Sequence, residues 1–401
     1  MRLLAFLAPV DLPVSILIAS DASLQKVTTG RLPITKLEIE RSIEELGRLS
    51  LMTAKDQGFV QVHPLVQSFV RGTLDREGRQ SWAEAAVRLI SSVFSFDARR
   101  PETWSQCAPL VPHAMAAARH ATELGSVLEL TAQLWDSVGQ WQAEHAQLVE
   151  AEECLRAGLL VAERAHGHDT NVAIHANNLA GVLQQKGDLK GALVYAQRAL
   201  SITESEEGES IKLAKLLSNQ AQILLSLGHL SEARRLTERA LSIDEKVLGT
   251  DHPNVAVRLN NLGQILHDQG DLDKALEMME RALHISEKSY GREHPATAIA
   301  TGNLSRIYRE RGQFSKALTC AENALRLAEK FYGPEHPNVA EQASELGAIL
   351  GDLGDFEGAL RYANKVFPVL KSLDFRHDKI HYRVYDQSGV SNSGGVCDSI
   401  M

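Results

Sequence analysis

The sequence predicts an all-α fold, its bulk an α-solenoid of stacked helix pairs. Three observations carry that prediction. One motif returns about every 42 residues, a period that marks repeat architectures. Within each copy the apolar residues fall at helical spacing. The composition is 44% hydrophobic yet only 5% aromatic, with alanine and leucine prominent. That balance suits close helix packing better than a sandwich of strands. With 23% charged residues the chain groups with ordinary globular proteins, not with disordered or collagen-like ones.

Residues 1–80 open on the apolar stretch Leu3–Ser20, which Pro9, Asp11 and Pro13 interrupt. An aspartate inside such a stretch costs about 3 kcal/mol on insertion scales. The stretch is therefore expected in the core of a small helical domain and not across a membrane. Residues 39–74 predict a helix, a hairpin around Lys55–Gly58 and a second helix. Helix–helix–hairpin order predicts a small winged helix over 1–80, and a helical linker is expected over 81–127.

The repeat array is expected over 128–373. Its clearest landmark is a glycine with an alanine five residues on: Gly187 and Ala192, Gly228 and Ala233, Gly270 and Ala275, Gly312 and Ala317, Gly354 and Ala359. A second alanine follows seven residues later in the first four copies, at Ala199, Ala240, Ala282 and Ala324. A glycine after the last helical turn adopts the left-handed cap conformation at little cost. Two alanines seven apart lie on one helix face and leave room for a close neighbour. The linkers LGTDHPNVA, YGREHPATA and YGPEHPNVA combine glycine at a helix end with proline near the next start. Each repeat is thus an antiparallel helix pair. Copies start near 168, 209, 251, 293 and 335, with a degenerate unit before them that has Ala146 where glycine would sit. From about residue 374 the chain leaves the pattern, and a Ser/Gly-rich flexible tail is expected over 374–401.

The spacing of Leu262, Gly263, Gly270, Ala275 and Ala282 resembles the tetratricopeptide repeat, with a period longer than that family's usual length. The stretch ERALSIDEKVLGTDHPNVAVRLNNLGQIL, residues 238–266, is similar to the kinesin light chain type of that repeat. The resemblance covers about residues 168–366 and implies a right-handed solenoid with a concave peptide-binding groove. Glu209 and Ser210 depart from the pattern at His-Pro, and Glu345 departs at a recurring asparagine.

The N-terminal third carries a second resemblance. The runs LLAFLAPVDLPVSIL and EELGRLSLM…VQVHPLVQSFVR look like the winged-helix segment of STAND-class NTPases, the NB-ARC family. Phe96-Asp97, Pro101-Glu102-Thr103-Trp104, Cys107 and Leu110-Val111-Pro112-His113-Ala114 resemble the linker joining such domains to tetratricopeptide arrays. The resemblance makes His63, in Val62-His63-Pro64, the counterpart of that family's nucleotide-sensing histidine. No GxxxxGK[ST] occurs in the sequence, so no nucleotide binding is expected, and His63 is expected to be a packing or surface residue.

The repeat returns an asparagine at one position of each first helix: Asn178, Asn219, Asn261 and Asn303. Asparagine is a poor helix former, so four returns point to a use. The resemblance implies a groove-facing clamp on peptide backbone amides, each bond netting about 1 kcal/mol. The other use is to bridge adjacent repeats. The same periodicity puts Asn177, Lys215, Asn260, Gln264, His267, Arg306 and Arg309 along the groove. Lys215, Arg306 and Arg309 would favour an acidic segment.

Catalytic and metal signatures are missing. There is no GxSxG, HExxH, GxGxxG or zinc-spaced Cys/His cluster. His252, His294 and His336 recur with the repeat register. Four well-separated cysteines fit a reducing cytoplasm. A net charge of −9 opposes nucleic-acid binding. The expectation is a cytoplasmic, non-catalytic interaction module without cofactor, nucleic-acid or membrane partner. It would be the sensor or scaffold half of a STAND-type signalling protein, with a protein or peptide ligand. The alternatives are a fragment of an ATP-dependent STAND switch, a kinesin-light-chain-like cargo adaptor and a winged-helix transcriptional regulator. No heptad-rich coiled coil occurs, which weighs against the adaptor.

Overall fold

The structure is a computed structural model and describes residues 1–19, 36–55, 58–96, 102–167, 169–334 and 336–372. The tail expected over 374–401 lies outside the described residues, as do Asp97, Pro101 and His168. The chain divides into two compact units, Met1–Glu206 and Glu207–Met401.

The first unit begins with a 3-10 turn at Leu4–Phe6, strand β1 (Leu12–Pro13) and helix α1 (Val14–Ala19). Helix α2 (Lys36–Arg48), strands β2 (Met52–Lys55) and β3 (Phe59–Val62) and helix α3 (Pro64–Gly72) follow. They occupy the stretch where helix, hairpin and helix are expected, although hairpin residues 56 and 57 lie outside the described set. The strands form an antiparallel sheet ordered β1-β3-β2, with Leu12 opposite Val60 and Met52 opposite Val62. Leu12, Met52, Val60 and Val62 are buried, which fixes the register, because a one-residue slip would turn them to solvent. The buried Gln67 pins α3 to the N-terminal turn, its Nε2 donating to the carbonyls of Leu4 (2.8 Å) and Leu7 (3.1 Å).

Helices α4 (Arg76–Val93), α5 (Glu102–Cys107) and α6 (Val111–Leu124) lead into two helix pairs. These are α7 (Leu128–Glu144) with α8 (Leu148–His166), and α9 (Thr170–Gln185) with α10 (Leu189–Glu206). Buried indoles brace the entry. Trp141 Nε1 donates to the Trp104 carbonyl (3.1 Å) and Trp135 Nε1 to Thr122 Oγ1 (3.0 Å).

The second unit contains four helix pairs among its described residues. They are α11 (Ile211–Ser226) with α12 (Leu230–Leu248), α13 (Pro253–Asp268) with α14 (Leu272–Tyr290), α15 (Pro295–Glu310) with α16 (Phe314–Tyr332), and α17 (Pro337–Asp352) with α18 (Phe356–Ser372). Each turn between paired helices is closed by a left-handed glycine. At Gly270, φ is 81°. Its amide donates to the His267 carbonyl (2.8 Å), and the Asp271 amide donates to that of Leu266 (2.9 Å). These two bonds satisfy carbonyls that the helix end leaves open. Ala233, Ala240, Ala275, Ala282, Ala317 and Ala324 are all 0% exposed. Small side chains there let neighbouring helices close on one another. The core runs between them through Leu262, Leu266, Met279, Leu304, Ile307 and Leu325. Fully burying one such aliphatic side chain contributes about 1.5–3 kcal/mol.

Candidate functional site

Within the second unit each first helix packs on its own partner; α13, α15 and α17 also pack on the preceding second helix, and successive first helices from α11 to α17 touch one another. That leaves each first helix one open face. On α13 the face is Val257, Asn261, Gln264 and Asp268; on α15 it is Ile299, Asn303, Arg306 and Glu310. The spacing of four, three and four residues is one stripe of an α-helix. Matching stripes on α11 and α17 put Lys215 and Glu341 in register with Val257 and Ile299. The sequence-predicted groove residues divide on this frame according to their distance from the stripe.

Two of the recurring asparagines tie repeats together. Asn178 Nδ2 donates to Asp136 Oδ2 at 2.7 Å, and Asp136 stands at the same register position one repeat earlier. His175 Nδ1 lies 3.0 Å from the same carboxylate oxygen, and both residues are buried. Asn261 Nδ2 donates to Ser218 Oγ at 2.9 Å, joining α13 to α11. Asn303 Oδ1 accepts a long bond, 3.5 Å, from Arg306 Nη2 on its own helix. Asn219 is half-buried at the same position on α11. Asn177 is 7% exposed and does not line the open face, because one residue's rotation turns it off the stripe. Asn260 is half-buried for the same reason, and its Oδ1 is buried with no hydrogen-bond partner among the described residues.

The charged residues of the face also join neighbouring repeats. Arg306 Nη2 donates to Gln264 Oε1 at 3.0 Å, from α15 to α13. Arg309 Nη1 donates to Glu345 Oε2 at 3.0 Å, and Arg309 Nε lies 3.5 Å from Asp352 Oδ2, from α15 to α17. Burial pushes the Glu345 carboxyl above its ordinary value, with Arg309 and Arg306 opposing the rise. His267 sits between Asp268 (Nδ1 to Oδ1, 3.0 Å) and Glu310 (Nε2 to Oε1, 2.8 Å). The Asp268 carboxylate first, and Glu310 with it, hold the imidazole above its usual pKa against the effect of burial. Lys215 is exposed and carries no ion pair or hydrogen bond among the described residues.

Sequence reasoning did not assign the recurring linker histidines a role. His252, His294 and His336 are the N-cap residues of α13, α15 and α17. Their Nδ1 atoms accept from the amides of Asn254, Ala296 and Asn338, each at 3.1 Å. Tyr290 stacks on His294 and Tyr332 on His336, ring centroids 4.5 Å apart. The signal was the His-Pro pair itself, since proline at the first helical position puts the preceding residue at the cap. His63 does the same for α3: it is exposed, and its Nδ1 accepts from the Leu65 amide at 3.2 Å. Among the described residues no cluster of three His, Cys, Asp or Glu side chains could hold a metal ion. No described helix is long and apolar enough to cross a membrane.

A tetratricopeptide repeat model matches residues 212–288, 259–322 and 315–372, and a second tetratricopeptide repeat model matches 172–210. The chain carries tetratricopeptide repeats. No match was found among curated proteins. Among solved structures, BtubC (BKLC) from P. vanneervenii is 26% identical, over 58% of this chain and 92% of that one, with a TM-score of 0.46. A set of nearly identical TPR-like repeats, from a kinesin light chain candidate of Podosopora anserina, is 23% identical. That alignment spans 50% of this chain and 96% of that one, with a TM-score of 0.40. The apo form of RapI is 16% identical over 66% of this chain and 92% of that one, with a TM-score of 0.53, a likeness of fold.

Proposed function

We propose that this chain is a non-catalytic protein-interaction module whose tetratricopeptide repeats hold a segment of a partner protein on the first-helix face of residues 207–372. One observation carries the proposal. The stripe facing solvent on each first helix repeats in register from α11 to α17, and it includes the aliphatic side chains Val257 (51% exposed) and Ile299 (45%). Isolated exposed aliphatics need no explanation. Two at one register position of successive repeats make a surface that association would bury.

The test is affinity capture from lysate of the source cells. It compares the natural chain with Val257→Ser/Ile299→Ser/Asn303→Ala, after matching their circular dichroism. Partners captured by the first and lost by the second support the face. An identical partner set with both rejects it.

A second proposal concerns context: the sensor or scaffold half of a STAND-type switch, with residues 1–80 as its winged helix. It is supported by the three-stranded antiparallel sheet ordered β1-β3-β2, by the helices around it, and by Val62-His63-Pro64 at the start of α3. On this proposal a nucleotide-binding protein would be among the captured partners.

A further inference from the structure

The polar residues of the first-helix face are largely engaged with one another. Asn261 bonds Ser218, Arg306 bonds Gln264 and Asn303, Arg309 meets Glu345 and Asp352, and His267 lies between Asp268 and Glu310. Each of these groups would have to give up an intramolecular partner to bind a ligand, so little is gained by the exchange. One register column differs. Lys215, Val257, Ile299 and Glu341, one turn before the asparagine position on α11, α13, α15 and α17, are all exposed. No hydrogen bond or ion pair engages Lys215 or Glu341 among the described residues. This column is where a partner can gain contact without breaking one.

The charge around it is not even. Helix α17 has no lysine or arginine, and its open face carries Glu341, Glu345 and Asp352. Arg309 reaches across to Glu345 and Asp352, and the Arg306 charge also acts on Glu345. Glu310 stands one repeat earlier and is shared with His267. At the α17 end of the column Glu341 therefore stands as an exposed, unanswered carboxylate, while the column's centre is aliphatic.

Resting on the binding face proposed above, we infer that the partner segment is aliphatic and basic. Two aliphatic side chains lie over Val257 and Ile299, and a lysine or arginine follows over Glu341. Packed helices lie about 8–10 Å apart. An extended polyproline-type chain advances about 3.1 Å per residue and repeats its face every third one. The contacting residues are thus roughly three apart. This reverses the acidic ligand that Lys215, Arg306 and Arg309 suggest from sequence, because two of those three cations are already paired.

Fluorescence anisotropy with labelled synthetic peptides of about twelve residues tests it on the full chain. One set places two valines or isoleucines three apart and two lysines three residues further on, in both chain directions. The control set replaces the lysines by glutamates. The lysine set should bind about tenfold more tightly or better, a difference of about 1.4 kcal/mol. Glu341→Lys, an exposed substitution that spares the fold, should reverse that ranking. Equal or tighter binding of the glutamate set, or an unchanged ranking with Glu341→Lys, overturns the inference while leaving the face itself in place. Binding of neither set also overturns it. Loss of captured partners with the Val257/Ile299/Asn303 variant would still uphold the face, so the two failures read differently.

Discussion

Removing Asp244 would strand a guanidinium in the core. Asp244 is 0% exposed and Arg258 7%, and Arg258 Nε donates to Asp244 Oδ2 at 2.9 Å, locking α12 to α13. Breaking a buried pair by deleting one partner costs about 3–5 kcal/mol, whereas replacing both partners is often neutral. The next repeat shows the uncharged solution, with Ser286 and Ala300 at the same register positions. Asp244→Ala should lower stability by about 3–5 kcal/mol in urea unfolding, and Asp244→Ser with Arg258→Ala should recover most of it. A double variant as unstable as the single one would contradict this. His267 gives a pH-dependent counterpart. Its folded pKa is raised above the unfolded value, chiefly by Asp268 and then by Glu310. Its contribution is therefore complete below the unfolded pKa, about 6.5, and is lost as pH rises through the folded one. The stability gap between the natural chain and His267→Gln should be widest near pH 6 and narrow by pH 8. A gap that widens with pH would refute the linkage. Neither feature was legible beforehand. Asp244 and Arg258 sit fourteen residues apart on different helices, and only the packing of the pair buries them.

At the scale of the element, turn chemistry carries the most information. Glycines at the pair turns read as left-handed caps from sequence, and Gly187, Gly228, Gly270, Gly312 and Gly354 all have φ between 70° and 89°. The degenerate unit keeps that geometry without the glycine. Ala146 has φ 58°, and its turn is closed by Gln147 N donating to the Gln142 carbonyl at 2.9 Å. A left-handed conformation costs a residue with a Cβ about 1–2 kcal/mol. Ala146→Gly should therefore stabilise the chain by about 1 kcal/mol, raising the thermal midpoint in calorimetry. A lowered midpoint would mean that the Ala146 methyl is needed elsewhere. Close packing was legible too: the alanine pair of the second helix in each of the first four copies is buried as its spacing demands. Gly263 belongs with them, since an added Cβ would stand 2.7 Å from Met279 Cγ. The N-capping histidines were harder to see. Histidine is not among the usual capping residues, and the cap geometry exists only once the proline fixes the first turn.

Across the whole molecule, the period made the helix pairs legible and left the chemistry of their surface open. A period shows which positions face the same way, but not which of them are already engaged. Asn178 and Asn261 return at a recurring position because repeats are joined there; Val257 and Ile299 drew no notice because apolar residues in a helix are presumed core. The same limit applied to charge: Arg309 looked like a ligand cation until Glu345 and Asp352 were found beside it. The first-helix face of residues 207–372 remains the central claim, and photo-crosslinking in the source cells tests it most directly. A photoreactive amino acid would replace Ile299 on the face, and Val247, a 48%-exposed residue of a second helix, as control. The account predicts one discrete partner adduct from position 299 and none from 247. An adduct from 247 with none from 299 would contradict it.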